Sequence, residues 1–388
     1  MIAIRTATLA FAGLLLAATP AWPATATVIY SFKGGHDGAG PTSTLVKFKG
    51  ALWGATYLGG DPNACSPYGC GTIYRLSLDG TETVVHRLKP SEGGAMYGGL
   101  AILGDAIYGT TSIGGPQQQS QGTVFKITPD GKFTVLHVFG GAGDGANPYG
   151  TLVAVNGTLY GTTFGGGSAG QGTVFQITPA GAESVLYSFQ NGTDTGGPIA
   201  GVISAGGDLY GVGQGGGIYG WGAIYKVTLA GQESLAYSFS SVADGYDPIG
   251  GLIKAGNAVY GTTEGGGACE LGCGTVFKFD LNGNKTTLHD FTNGSDGALP
   301  DTSLVHLGGV FYGVTQIGGP NTCYGEQNGC GVLYSVSPSG QETVLHSFGG
   351  KGDGSSPSTG LTNVDGLLYG TTYDGGAKGG GTVYTFAP

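Results

Sequence analysis

The chain has 388 residues, 83 of them glycine, and a net charge of −10 with only 15 lysines and arginines. So few cations argue against nucleic acid or an anionic membrane as partner, since both need clustered positive charge. The glycines show no Gly-X-Y period and 10% of the residues are aromatic, which excludes collagen and argues against a disordered chain.

Residues 1–26, "MIAIRTATLAFAGLLLAATPAWPATA", carry one cation (Arg5), a short apolar run and small residues at Ala24 and Ala26. That is the pattern of a secretory signal, with cleavage expected after Ala26 or after Ala21. The apolar run is too short to span a membrane, and no later stretch approaches the required length. The expected mature protein, 27–388, is therefore exported and soluble, as a single domain.

Next comes "ATVIYSF" (26–32), and similar letters return as "SVLYSF" (184–189), "SLAYSF" (234–239) and "TVLHSF" (343–348). Between them "YGTT" or a variant recurs seven times, beginning at residues 53, 108, 160, 210, 260, 312 and 369, a spacing of 50–57 residues. That period suits the four-stranded blades of a propeller. In the third unit, "YGTLVAVNG", "TLYGTTFGGG", "GTVFQITPAG" and "AESVLYSF" are four short apolar runs divided by turn signals. Asn-Gly and Pro-Ala-Gly mark the tight turns, and no segment has helical periodicity.

The last unit stops at "GTVYTFAP", one strand short, and the missing strand is the one at 26–32. Pairing the two ends closes seven blades into a ring and removes the open edges. The expected fold is an all-β, seven-bladed β-propeller of four-stranded blades, with strand 26–32 completing the last blade.

Residues 122–167, "GTVFKITPDGKFTVLHVFGGAGDGANPYGTLVAVNGTLYGTTFGGG", resemble the bacterial GloVer tandem repeat, "GTVF…G…VLYSF…DGxxP…LYGTT…GG". The resemblance extends over essentially all of 26–388. It implies an extracellular protein and no particular activity. Members often carry a C-terminal sorting anchor, and none precedes Pro388. The glycine doublets after the second strand are also similar, more loosely, to kelch repeats.

The six cysteines fall in three local pairs, Cys65/Cys70, Cys269/Cys273 and Cys323/Cys330, each ending directly before the glycine that opens a third strand. With an export signal and no Cys-x-x-Cys pair, disulfides are expected rather than a metal site.

Because strands alternate in direction, the long second-to-third loops and the fourth-to-first crossovers share one face, where function is expected. The position opening each first strand varies: Thr42, Tyr97, Tyr149, Ile199, Ile249, Asp301 and Ser358. So does the residue after "YGTT": Tyr57, Ser112, Phe164, Gln214, Glu264, Gln316 and Tyr373. Both sets should ring the mouth of the central channel, and Tyr57, Tyr97, Tyr149, Phe164, Glu264, Asp301 and Tyr373, with Trp221, are the ligand-binding candidates. Rings and carboxylates together suit a sugar.

Six crossovers carry Asp37, Asp144, Asp194, Asp244, Asp296 and Asp353, and the first puts Glu92 there. Asp-Gly turns explain these residues; calcium is the alternative, and no other cofactor is indicated. His86, His137, His289 and His346 occupy the fourth-strand slot that holds Tyr30, Tyr187 and Tyr237 elsewhere, so they read as packing residues.

The leading functional expectation is a secreted binding module whose partner is a glycan, or else another extracellular protein. The alternative is a polysaccharide lyase or glycoside hydrolase at the same mouth, with Asp301, Glu264 and His36 as catalytic candidates. A structural protein of the cell envelope is the third.

Overall fold

The computed structural model describes residues 26–65, 67–117, 119–190, 192–269, 272–323, 329–349 and 352–388. All but the last residue of the expected signal segment lies outside them. The fold is all-β, with seven antiparallel blade sheets, six of four strands and one, in blade 1, that gains the short crossover strand Ala39–Pro41 as a fifth. Blade 3 is representative: Val153–Val155 lies innermost, then Thr158–Thr163, Thr173–Ile177 and, outermost, Glu183–Ser188. The innermost strands of successive blades lie side by side around the axis.

Blade 7 is completed as expected. Thr27–Ser31 pairs antiparallel with Thr382–Phe386, from Thr27 opposite Thr385 to Ser31 opposite Thr382. The ring is also tied near the axis. Thr371 Oγ1 donates to Pro41 O at 3.4 Å and Lys47 Nζ lies 2.6 Å from Asp365 Oδ2.

The repeated letters have packing reasons. A Cβ on Gly161, the glycine of "YGTT", would stand 2.5 Å from Phe175 Cζ. The glycine thus makes room for the aromatic ring of "GTVF" on the neighbouring strand. The second threonine of "YGTT" pairs with the threonine of "GTVF", Thr163 Oγ1 lying 2.8 Å from Thr173 Oγ1, and it also caps Thr173 N–H. The first threonine reaches the next crossover, Thr162 Oγ1 donating to Ala200 O at 2.9 Å.

Between blades the seam is aromatic. In six of the seven blades a fully buried phenylalanine ends the fourth-strand motif and meets the third-strand ring of the next blade edge-on, as Phe139 and Phe175 do at 5.1 Å, Phe189 and Tyr225 at 4.8 Å, and Phe32 and Tyr74 at 5.0 Å; blade 1 has the buried Leu88 there. Every outer strand also bulges at one residue, Leu186 in blade 3. Its carbonyl lies where a Cβ on Gly231 of the next blade would be, at 2.6 Å, and Gly231 has φ 84°. The turn glycine after the third strand is therefore fixed twice, by conformation and by contact.

The cysteines are bonded as expected: Cys65–Cys70, Cys269–Cys273 and Cys323–Cys330, with Cα separations of 5.2, 5.9 and 5.4 Å. One regularity was not anticipated. Each crossover bridges the long second-to-third loop of the blade it leads into, as Gly145–Gly166 and Thr195–Gly216 do, so each long loop is braced on a crossover.

Candidate functional site

A cavity of about 720 Å³ opens at the loop-rich end of the channel. All seven variable positions that open the first strands line it, as Thr42, Tyr97, Tyr149, Ile199, Ile249, Asp301 and Ser358. Of the residues after "YGTT", Gln316 and Tyr373 also reach the lining, and the others named as candidates stand behind it.

The mouth is divided by chemistry. Over blades 1 to 3 the rings form a chain: Tyr57 to Tyr97 at 5.2 Å, Tyr97 to Tyr149 at 5.2 Å, Tyr149 to Phe164 at 5.7 Å. Tyr97 is 45% exposed and Phe164 38%, so the chain presents ring surface to solvent. Tyr373 of blade 7 extends it and packs over Gly40, whose Cβ would fall 2.8 Å from the ring. Burial, and then a hydrogen bond with Tyr57, push the Tyr97 phenol above its ordinary range.

Opposite, blades 5 and 6 contribute carboxylates. Asp301 lines the cavity, with Oδ1 shielded from solvent and without a hydrogen-bond partner among the described residues. Burial, followed by the charge of Glu264, pushes the Asp301 carboxyl up to about 7. Glu264 is itself raised by burial and by Asp247, whose carbonyl oxygen accepts from Glu264 N–H at 2.9 Å. Asp374, raised by burial, also lines the cavity, but from blade 7, next to Tyr373 on the aromatic side. No lysine or arginine lines the cavity among the described residues.

The remaining candidates lie elsewhere. His36 sits at the rim beside Lys33, Asp37, Glu82 and Arg87, its Nδ1 3.0 Å from Gly60 O, and is not brought together with Asp301 and Glu264. Trp221 packs against Tyr246 at 5.3 Å, beside the exposed Ile218 and Tyr219 on the blade 4 loop, outside the cavity lining.

The crossover aspartates accept hydrogen bonds within their own turns and from the fourth strand. Asp194 takes Gln190 N–H at 2.6 Å and Tyr187 Oη–H at 2.9 Å; Asp353 takes Gly349 N–H at 2.9 Å and faces His346 Nε2 at 3.1 Å. The fourth-strand histidines do pack, His137 edge-on to Phe139 at 4.7 Å, but they are also polar partners of these carboxylates.

Sequence reasoning missed Asp247, Asp374 and the role of the position two residues before each first-strand slot. That position is left-handed in every blade: Gly40, Ala95, Asn147, Gly197, Asp247, Leu299 and Ser356 all have φ between 51° and 59°. A Cβ on Gly197 would meet Phe164 at 3.1 Å, just as one on Gly40 would meet Tyr373. The smallest residues there, Gly40, Ala95 and Gly197, follow the blades that carry Tyr373, Tyr57 and Phe164. That compensation in size was readable in the repeat alignment.

The WD40 domain of Neurospora crassa Pan2 has the same fold, with 10% identity over 90% of each chain and a TM-score of 0.52. A gluconolactonase from Xanthomonas campestris is similar at 13% identity over 68% of this chain and 78% of its own, with a TM-score of 0.39. No curated protein matches the sequence. The profile of the Gloeobacter/Verrucomicrobia repeat matches residues 11–170 and 104–325, and its period, its "GTVF" and "YGTT" letters and the packing behind them run round the whole ring; the chain belongs to that family.

Proposed function

We propose that this propeller is a binding module that holds a carbohydrate at the loop-rich mouth of its channel. The observation that carries the reading is the unbroken chain of rings from Tyr57 to Phe164 across the mouth from Asp301, whose Oδ1 has no hydrogen-bond partner among the described residues. Exposed rings offer flat apolar surface to a sugar face, and carboxylates accept from its hydroxyls. A cavity of about 720 Å³ has room for a short oligosaccharide segment. The three disulfides fit an oxidising compartment, and no helix among the described residues is long and apolar enough to cross a membrane. We place the protein outside the cytoplasm on that basis.

The test is a glycan array followed by calorimetry on the retained sugars. Tyr97→Ala should weaken binding at least about tenfold, the equivalent of 1.4 kcal/mol of lost stacking and burial. An array that retains nothing, or a Tyr97→Ala protein that binds as before, overturns the reading.

One observation favours a second reading. A carboxyl held at about 7 beside another carboxylate is the arrangement of an acid–base pair, so Asp301 and Glu264 would serve a glycoside hydrolase. Release of reducing ends from the same glycans, abolished by Asp301→Asn, separates an enzyme from a binder.

A further inference from the structure

Seven junctions join the blades near the outer edge, and each sets a fourth-strand tyrosine or histidine against a crossover carboxylate. At six of them the carboxylate caps a backbone N–H three or four residues back: Asp37 on Lys33, Glu92 on Lys89, Asp194 on Gln190, Asp244 on Ser240, Asp296 on Thr292, Asp353 on Gly349. The junction of blades 2 and 3 differs. Asp144 makes no such bond among the described residues; its Oδ1 accepts from Gly145 N–H at 2.7 Å, as Asp194 does from Thr195, and its Oδ2, free of a backbone cap, faces His137 Nε2 at 3.1 Å.

The outer strand of blade 3 brings Glu183 to the same place, Oε2 3.8 Å from His137 Nε2. One donor atom from each of these three side chains falls within 4.8 Å of the others. The Glu183 side chain is nine-tenths buried, and its Oε1 has no hydrogen-bond partner among the described residues. A carboxylate buried in that state requires a proton or a cation. At the junction of blades 4 and 5 Lys285 stands against Asp244, whereas among the described residues no lysine or arginine pairs with Glu183.

We propose that His137, Asp144 and Glu183 form a binding site for a divalent cation of the zinc type, with water as the fourth ligand. Imidazole nitrogen with two carboxylate oxygens is a donor set for a borderline first-row ion, and calcium, which takes oxygen ligands, does not suit it. Two carboxylates and a neutral imidazole balance the charge of the ion. His137 and Asp144 come from one blade and its crossover and Glu183 from the next, so the ion clamps adjacent blades. The ring of Phe139 and the N–H of Gly145 hold two of the ligands in orientation.

The molecule supplies its own comparison. His289, Asp296 and Glu342 are the equivalent residues between blades 5 and 6, but His289 Nε2 stands 3.6 Å from Asp296 Oδ2, and Asp296 is occupied by Thr292 and Gly294.

The experiment uses chelator-stripped, tag-free protein. Zinc titration by calorimetry should show one equivalent bound, cobalt should give a visible d–d band, and zinc should raise Tm. His137→Tyr installs the residue found in this slot at three other junctions, so it should fold as the parent does. It and Glu183→Gln should each weaken zinc binding at least about 100-fold, more than the loss of a second-layer partner costs. His289→Tyr should bind zinc unchanged. Absence of uptake by the parent, undiminished uptake by His137→Tyr or Glu183→Gln, or its loss in His289→Tyr, each overturns the assignment.

Discussion

Replacing Phe32 by alanine tests whether the seam that closes the ring is built like the seams within the chain. Phe32 is 0% exposed and meets Tyr74 edge-on at 5.0 Å, with an interplanar angle of 68°. Phe189 does the same for blades 3 and 4, also 0% exposed, at 4.8 Å and 68° from Tyr225. Removing a buried phenylalanine side chain costs about 3–5 kcal/mol, of which roughly 0.5–1.5 belongs to the ring pair. Unfolding entropy of about 2.1 cal/mol/K per residue over roughly 360 residues turns this into a Tm decrease of about 4–7 °C. Because the surroundings match, Phe32→Ala and Phe189→Ala should fall within about 1 kcal/mol of each other by urea or thermal unfolding. If the terminal strand were only loosely attached, Phe32→Ala would be nearly silent while Phe189→Ala was not. That outcome would refute the closure argument.

Gly161→Ala should destabilise by about 1–2 kcal/mol in urea titration, because the added methyl meets Phe175 at 2.5 Å and Leu152 at 2.6 Å, an overpacking only partly offset by the strand's preference for alanine. Phe175→Leu combined with it should recover part of the loss, and strict additivity would contradict the proposed contact. Stability should fall as pH rises from about 4 to about 7, since Asp301, Glu82, Glu233 and Glu342 are all pushed up to about 7 by burial while an unfolded carboxyl titrates near 4. In that window the folded state holds more protons than the unfolded one, so raising pH favours unfolding until the folded groups have ionised. Asp301→Asn should flatten part of that slope and be more stable than the parent at pH 8; a parent whose Tm rises from pH 5 to pH 8 would contradict the reasoning.

Much of the fold was legible because each repeated letter answers a local demand. Gly161 must clear a ring, Thr163 must meet Thr173, and Gly231 must turn left-handed against a carbonyl, so the same residue types recur whenever the same contact does. The missing fourth strand of blade 7 was legible as a count. The polar seams were not. Their members come from two units about 50 residues apart in sequence, as His137 and Glu183 do, and a repeat alignment sets each glutamate beside its own strand rather than beside the histidine of the preceding blade. The distance of His36 from the axis was illegible for a related reason: lying on the loop-rich face does not fix it, and His36 stands beside Lys33, Asp37, Glu82 and Arg87.

Why the mouth could diverge while the scaffold stayed fixed also follows from how the blades are held together. Several contacts that tie neighbouring blades near the axis end on backbone carbonyls, Thr162 on Ala200, Thr262 on Thr302 and Thr371 on Pro41. They ask nothing of the side chain at Tyr149, Ile249 or Asp301, and these positions are free to take residues of any size that the preceding left-handed position leaves room for. Scaffold physics alone would therefore scatter ring and acid among seven blades without preference. Instead the rings occupy blades 7, 1, 2 and 3 in succession, and Glu264 and Asp301 stand together on blades 5 and 6. A ligand that needs stacking on one side and charge on the other is what such sorting would serve. Exchanging the two arcs' residues, Tyr149→Asp with Asp301→Tyr, should leave the backbone ties intact and the protein folded while abolishing glycan retention; a folded swap that still retained the same sugar would show that the sorting carries no recognition.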